Sequence, residues 1–194
     1  MTESLREARA ELVRERVLEG VAAVLAAGDD LTFAKVARAA EVPERTVYRH
    51  FPTREALLAA VFDWANRRIG FDGKAPADRG EIADLVQRAF PGFDEIAPVI
   101  RELLVAPEGL LARLSSKDER QAAAVALVEG EAPGLDPADT RRVAAAVQLL
   151  TAAATWQALR HYWDMDGDEA ARTATLAIDL ILDAARARAE GSPS

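Results

Sequence analysis

Cysteine is absent from the 194 residues, and histidine occurs only twice, at His50 and His161. The first absence excludes disulfides, thiolate zinc sites and a cysteine nucleophile, and it is compatible with a reducing compartment. The second removes the common imidazole ligand sets, because the two histidines lie far apart in sequence and no His-x-x-x-His pair marks a helix face. No metal is expected. Long apolar runs are missing too: the longest uncharged stretch, Val143 to Leu159, has 17 residues and includes Gln148, Thr151, Thr155 and Gln157, whereas a membrane-spanning helix needs about 20 mostly apolar residues. It reads as a buried helix, with no membrane partner. Met1 to Arg16 alternates Glu and Arg with apolar residues and has no apolar core, so it reads as the start of the mature chain and not as a secretory signal. A cytoplasmic location is expected. There is no Gly-rich phosphate cradle or nucleophile elbow, so neither an enzyme nor a cofactor is expected. Asp164, Asp166, Asp168 and Glu169 approach a calcium loop, but Gly167 stands fourth and Thr175 holds the twelfth position, where the closing Glu belongs. An acidic turn between helices fits better.

Alanine is abundant, with 42 residues among the 50% that are hydrophobic. Alanine forms helices well and buries little surface, so many closely packed helices follow. Apolar residues recur at helical spacing and no segment alternates as a strand does, which makes the fold class all-α. The first helix is expected over Leu5 to Ala27, with Leu5, Ala8, Leu12, Val13, Val17, Val21, Val24 and Leu25 as one stripe and Gly28 as the stop. Thr32 is a good N-cap for a short helix to Ala40, Pro43 opens a third, and Thr53 caps a fourth that runs to about Ile69. After a loop over Gly70 to Gly80, helices are expected near Glu81 to Phe90, Asp94 to Val105, Glu108 to Leu114, Lys117 to Glu129, Pro137 to Tyr162 and Asp168 to Ala189, with a frayed tail from Glu190.

The formal net charge of -8 argues against a nucleic-acid partner until its distribution is read. Residues 1 to 54 carry nine basic and nine acidic side chains, so the whole excess of acid lies beyond Arg54. Residues 31 to 54 hold five bases (Lys35, Arg38, Arg45, Arg49, Arg54) against Glu41 and Glu44. This basic patch coincides with a short helix, a three-residue turn and a second short helix, which is helix-turn-helix spacing. Phe33, Val36, Ala37, Ala40 and Val42 can face a core together with Val47 and Phe51, leaving Glu44, Arg45, Tyr48 and Arg49 outside. A helix of that kind fits the major groove, about 12 Å wide.

Several segments, namely Leu31-Thr32, Val36 to Ala40, Val42, Thr46 to Pro52 and Thr53 to Leu58, make residues 13 to 69 similar to the N-terminal domain of TetR/AcrR-type transcriptional repressors. The resemblance implies a division into a helix-turn-helix domain over residues 1–69, with its motif at 32–51, and a helical effector-binding and dimerisation domain over 70–194. It implies base contacts from Glu44, Arg45, Thr46 and Tyr48, and phosphate contacts from Thr32, Lys35, Tyr48, Arg49, His50 and Arg54. The chemistry agrees for several of these: Arg45 can fork onto a guanine edge, the Thr46 methyl can meet a thymine methyl, and Glu44 can accept from cytosine N4. Two positions depart from the family pattern. Glu41 stands where the turn normally has Gly, which loosens the turn and places an acid near a phosphate unless it points away. Pro43 stands where Ser or Thr normally opens the recognition helix, which removes one hydroxyl contact.

Downstream, Leu149, Ala153, Trp156, Arg160 and Trp163 share one helix face that joins an aromatic wall to a cation. The resemblance places a small-molecule effector site there, with Phe62, Trp64, Thr155, Trp156 and Arg160 as its residues, and the aromatic wall with its cation suits an apolar or weakly acidic compound. The same side chains could instead be core. The last two long helices are rich in Ala, Leu and Ile; they can pack within one chain, while the resemblance implies a four-helix interface in a homodimer. The function expected is a ligand-responsive regulator, a repressor that binds palindromic double-stranded operator DNA. The alternatives are a helical interaction protein whose DNA binding has lapsed, favoured by Glu41 and Pro43, and an all-α enzyme.

Overall fold

In a computed structural model, which describes residues 2–191 and the side chains from Arg6 onward, the protein consists of eleven helices with no strand among the described residues. The all-α expectation holds. The Leu5 side chain and the tail Ser192–Ser194 lie outside what is described. Two compact units are present, and they do not follow the chain as a single cut: one runs up to Ala65 and takes in Ile96–Leu114, and the other comprises Asn66–Glu95 with the chain from Ser115 onward.

The first unit begins with α1, Thr2–Ala26, whose Val17, Leu18, Val21 and Val24 are buried. Burying side chains of this size contributes roughly 1.5–3 kcal/mol each. The N-terminal half of the expected stripe is not part of that core, for Ala8 and Leu12 are exposed. Gly28 ends the helix in the left-handed region (φ 73°), and its N–H and that of Asp29 donate to Leu25 and Val24. α2, Phe33–Ala39, starts at Thr32, whose Oγ1 accepts from the Lys35 N–H at 3.3 Å. α3, Glu44–His50, follows Pro43, and α4, Arg54–Arg68, follows Thr53, whose Oγ1 accepts from the Ala56 N–H at 3.1 Å. α6, Ala97–Val105, lies against α1, and α7, Pro107–Leu114, packs on α6.

The second unit is organised around α11, Gly167–Glu190, which packs against α5, Arg79–Glu95, and against α8, Lys117–Glu131, α9, Pro137–Leu150, and α10, Ala153–Trp163. α5 was expected to stop at Phe90. It continues through Pro91 because Phe90 and Phe93 extend one buried face, and because Gly92 lies so close to Ile69 that a Cβ there would sit 3.0 Å from Ile69 Cγ2. The helix expected over Pro137 to Tyr162 is in fact two. It breaks at Ala152, which is extended (ψ 149°), where the Thr151 hydroxyl donates to the Gln148 carbonyl at 2.9 Å and the Thr155 hydroxyl to Leu149 at 2.6 Å. Hydroxyls that satisfy the last carbonyls of α9 offer the backbone an alternative to continuing the helix.

Charged groups tie these helices together. Arg79 reaches Glu131 and Asp183, and Arg186 donates to the Glu131 carboxylate and carbonyl, linking α5, α8 and α11. The N-terminus of α11 abuts α5 directly: a Cβ on Gly167 would lie 2.6 Å from the Phe90 carbonyl oxygen and 2.6 Å from Pro91 Cα. Both are backbone atoms that no rotamer change can withdraw. Gly167→Ala is therefore expected to cost about 1–3 kcal/mol, as overpacking does, and to lower the melting temperature by several degrees; a melt that coincides with the wild type would show that α11 does not approach α5 this closely.

Candidate nucleic-acid interface

The reading helix α3 is held from behind. Val47 and Phe51 are buried, Arg14 of α1 lies over the Phe51 ring at 4.8 Å, and α2 closes on α1 where Gly20 meets Val36 and Ala40. A Cβ on Gly20 would lie 3.0 Å from Ala40 Cβ and 3.1 Å from the Val36 carbonyl oxygen. The small Ala40 thus serves the α1–α2 crossing. With the inner face occupied, Glu44, Arg45, Tyr48 and Arg49 are exposed on the outer face, and Thr46 is half-buried beside them.

Tyr48 is not a loose side chain. Its ring stacks on Phe33, the first residue of α2, with centroids 4.5 Å apart and planes at 9°. This contact fixes the direction of the phenol at little entropic cost. Phe33 is half-buried and belongs to the candidate surface through this ring pair, and nothing local in the sequence announces a pair formed between two helices.

The remaining expected contacts are placed as follows. Thr32 is exposed; its oxygen accepts from Lys35 N–H, which leaves the hydroxyl proton free to donate to a phosphate. Lys35 pairs with Asp29 at 3.0 Å. His50 has a buried Nε2 without a hydrogen-bond partner, so a phosphate contact from this ring has to come from Nδ1. Burial, aided by the charges of Arg49 and Arg14, holds His50 below its ordinary value of 6.5, so the ring is neutral at pH 7. Arg54 departs most from expectation. Its guanidinium, expected on a phosphate, is held by the Leu31 carbonyl at 2.8 Å, by Glu102 at 2.5 Å and near Glu108 at 3.6 Å.

The two unusual turn residues are accommodated. Glu41 adopts the left-handed conformation (φ 53°) that glycine takes at no steric cost, and the turn closes through Glu41 N–H to Arg38 and Val42 N–H to Ala37. Its carboxylate pairs with Arg16 of α1 at 3.4 Å. Pro43 precedes α3 without a side-chain cap, as expected of a residue that lacks a hydroxyl.

Residues 27–61 match the family model described as bacterial regulatory proteins, tetR family. The matched segment takes in α2, α3 and the turn between them. This segment is a tetR-type DNA-binding motif. Comparison with curated proteins returned no match to the chain. The tetR-type motif thus accounts for the surface just described.

The expected effector residues do not form an open wall. Trp156 is fully buried, tilted against Phe93 at 5.6 Å, and its Nε1–H donates to Asp94 at 3.0 Å. Arg160 pairs with the same carboxylate, which also accepts from the Gly167 N–H at 2.6 Å. The aromatic wall and the cation are thus already engaged within the chain, with Asp94 supplying the anion. Thr155 spends its hydroxyl on Leu149, as above, while Phe62 is half-buried and Trp64 buried on α4 of the first unit. Among the described residues no group of His, Asp and Glu is arranged to hold a metal, and no helix is long and apolar enough to cross a membrane.

Glu41 yields a direct test of the turn. A non-glycine residue in the left-handed region costs roughly 1–2 kcal/mol, against roughly 0.5–1 kcal/mol for the extra unfolded-state freedom of Gly, and an exposed ion pair contributes little. Glu41→Gly should stabilise the protein by about 0.5 kcal/mol and should not weaken DNA binding; a loss of stability would mean that the Arg16 pair, and not backbone geometry, governs the turn.

Proposed function

We propose that this protein is a tetR-family regulator, a cytoplasmic repressor that binds a palindromic operator as a homodimer and answers to a small-molecule effector. The observation that carries the reading is the outer face of α3: Glu44, Arg45 and Tyr48 exposed on a helix whose inner face is sealed, with Tyr48 braced by Phe33. Bidentate Arg45 donation to guanine and Glu44 acceptance from cytosine would read bases, while Thr32, Lys35, Arg49 and His50 Nδ1 would meet the backbone.

Dimerisation is supported by apolar surface that the chain leaves uncovered. Leu149, Tyr162, Trp163, Leu176 and Leu180 are each more than 60% exposed, and all lie on α9, α10 and α11. Leu176 and Leu180 are one turn apart, and Ala184 and Ala187 continue their stripe. An exposed apolar helix stripe of this kind fits an interface, and a two-fold pairing would present two reading helices to one DNA face. For the effector, Asp94 sets a condition: an apolar or weakly acidic ligand seated beside Trp156 and Arg160 has to exchange with that carboxylate.

Selection from random DNA by the wild type, followed by the same selection with Arg45→Ala, tests the reading. The wild type should return an inverted repeat with half-site centres about one turn, roughly 34 Å, apart, and sediment as a dimer. Arg45→Ala should lose about 1–3 kcal/mol and relax one position in each half-site. Recovery of no inverted repeat would contradict the dimeric operator complex, and identical base preferences for the two proteins would remove Arg45 from base reading.

A further inference from the structure

Arg54 opens α4, four residues beyond the end of α3, and all three of its guanidinium nitrogens have oxygen neighbours. Nη1 donates to the Leu31 carbonyl at 2.8 Å, Nη2 donates to Glu102 of α6 at 2.5 Å, and Nε lies 3.6 Å from Glu108 of α7. Leu31 immediately precedes Thr32, so the guanidinium sits at the same end of α2 as the hydroxyl and ammonium assigned above to the DNA backbone. The side chains of Arg54, Glu102 and Glu108 are 38%, 20% and 28% exposed, so their charges are less screened than those of a fully solvated pair.

The arithmetic of charge decides what this cluster does. One cation faces two carboxylates, and the sum is negative. A cation strengthens DNA binding by neutralising a phosphate and releasing its condensed counterions. A guanidinium already neutralised by carboxylates has no such gain to offer, and a carboxylate presents the same planar, two-oxygen anionic edge that a phosphate does.

We propose that Glu102 and Glu108 act as internal stand-ins for phosphate: they hold Arg54 out of the set of backbone contacts and so set operator affinity from outside the helix-turn-helix segment. This rests on the DNA-binding reading above and adds to it two residues, 48 and 54 positions beyond Arg54, as affinity determinants. A displacement of α6 and α7 that withdraws both carboxylates frees a cation beside α2 and tightens the complex.

Four proteins test this on the duplex selected by the wild type: wild type, Arg54→Ala, the Glu102→Gln/Glu108→Gln double variant and the triple variant, each titrated over a range of salt. Arg54→Ala alone should leave the salt dependence of binding as in the wild type. The double variant should bind more tightly at low salt, with a slope of log affinity against log salt steeper by about 0.9, so that its advantage changes about three- to fourfold between 50 and 200 mM salt. The triple variant should lose the added slope. A flattened slope in Arg54→Ala would overturn the proposal, because it would place Arg54 on a phosphate already. So would an unchanged slope in the double variant, or a gain that survives in the triple variant and therefore belongs to the lost carboxylate charge alone. If thermal melts show the double variant unfolded, the slope of Arg54→Ala alone decides. A wild type that binds no duplex would contradict the DNA-binding reading itself, which is distinct from binding with the wrong salt response.

Discussion

The reading head depends on one close approach, that of α1 to α2 at Gly20. A Cβ on that residue would crowd Ala40 and the Val36 carbonyl at 3.0–3.1 Å, so α2 is seated closely on α1 and its last turn is fixed in position. The left-handed Glu41 and the chain reversal into α3 follow from there, and Val47 and Phe51 complete the same apolar contact from the other side. A seven-residue helix has almost no stability of its own. Its direction, and so the direction of Glu44, Arg45 and Tyr48, is inherited from that packing.

The second unit solves a related problem with different means. Its helices are rich in alanine and bring little apolar surface each, and polar hubs fix their mutual arrangement. Asp94 serves Trp156, Arg160 and the first amide of α11 at once, and Glu131 binds Arg79 and Arg186. A half-buried carboxylate with several donors is strongly held, and removing any one partner leaves others unsatisfied. The same economy explains why the Trp156 face is closed: the cation that a ligand would use also holds the fold together.

Local signals were legible in the sequence, and long-range pairings were not. The caps at Thr32 and Thr53, the stop at Gly28 and the outward set on α3 follow from side-chain chemistry within one turn of the chain. Pro91 misleads because its local preference to end a helix is outweighed by Phe90 and Phe93 on a common buried face. The break at Ala152 is missed because the period of apolar residues runs through it, while the two threonine hydroxyls that cap the gap look like ordinary helix-surface polar groups. Local sequence points Arg54 and Trp156 toward ligands because the residues that engage them, Glu102, Glu108 and Asp94, are 48, 54 and 62 positions away. No periodicity links residues at such separations.

That the exposed face of α3, together with the capped start of α2, is the surface that meets DNA can be tested by following backbone amide resonances while the selected duplex is titrated into isotope-labelled protein. Saturable shifts concentrated at Thr32 to Lys35 and Glu44 to Arg49, absent with a scrambled duplex at moderate salt, are the expected result. Shifts confined to α9, α10 and α11, with α3 unmoved at saturation, would contradict it.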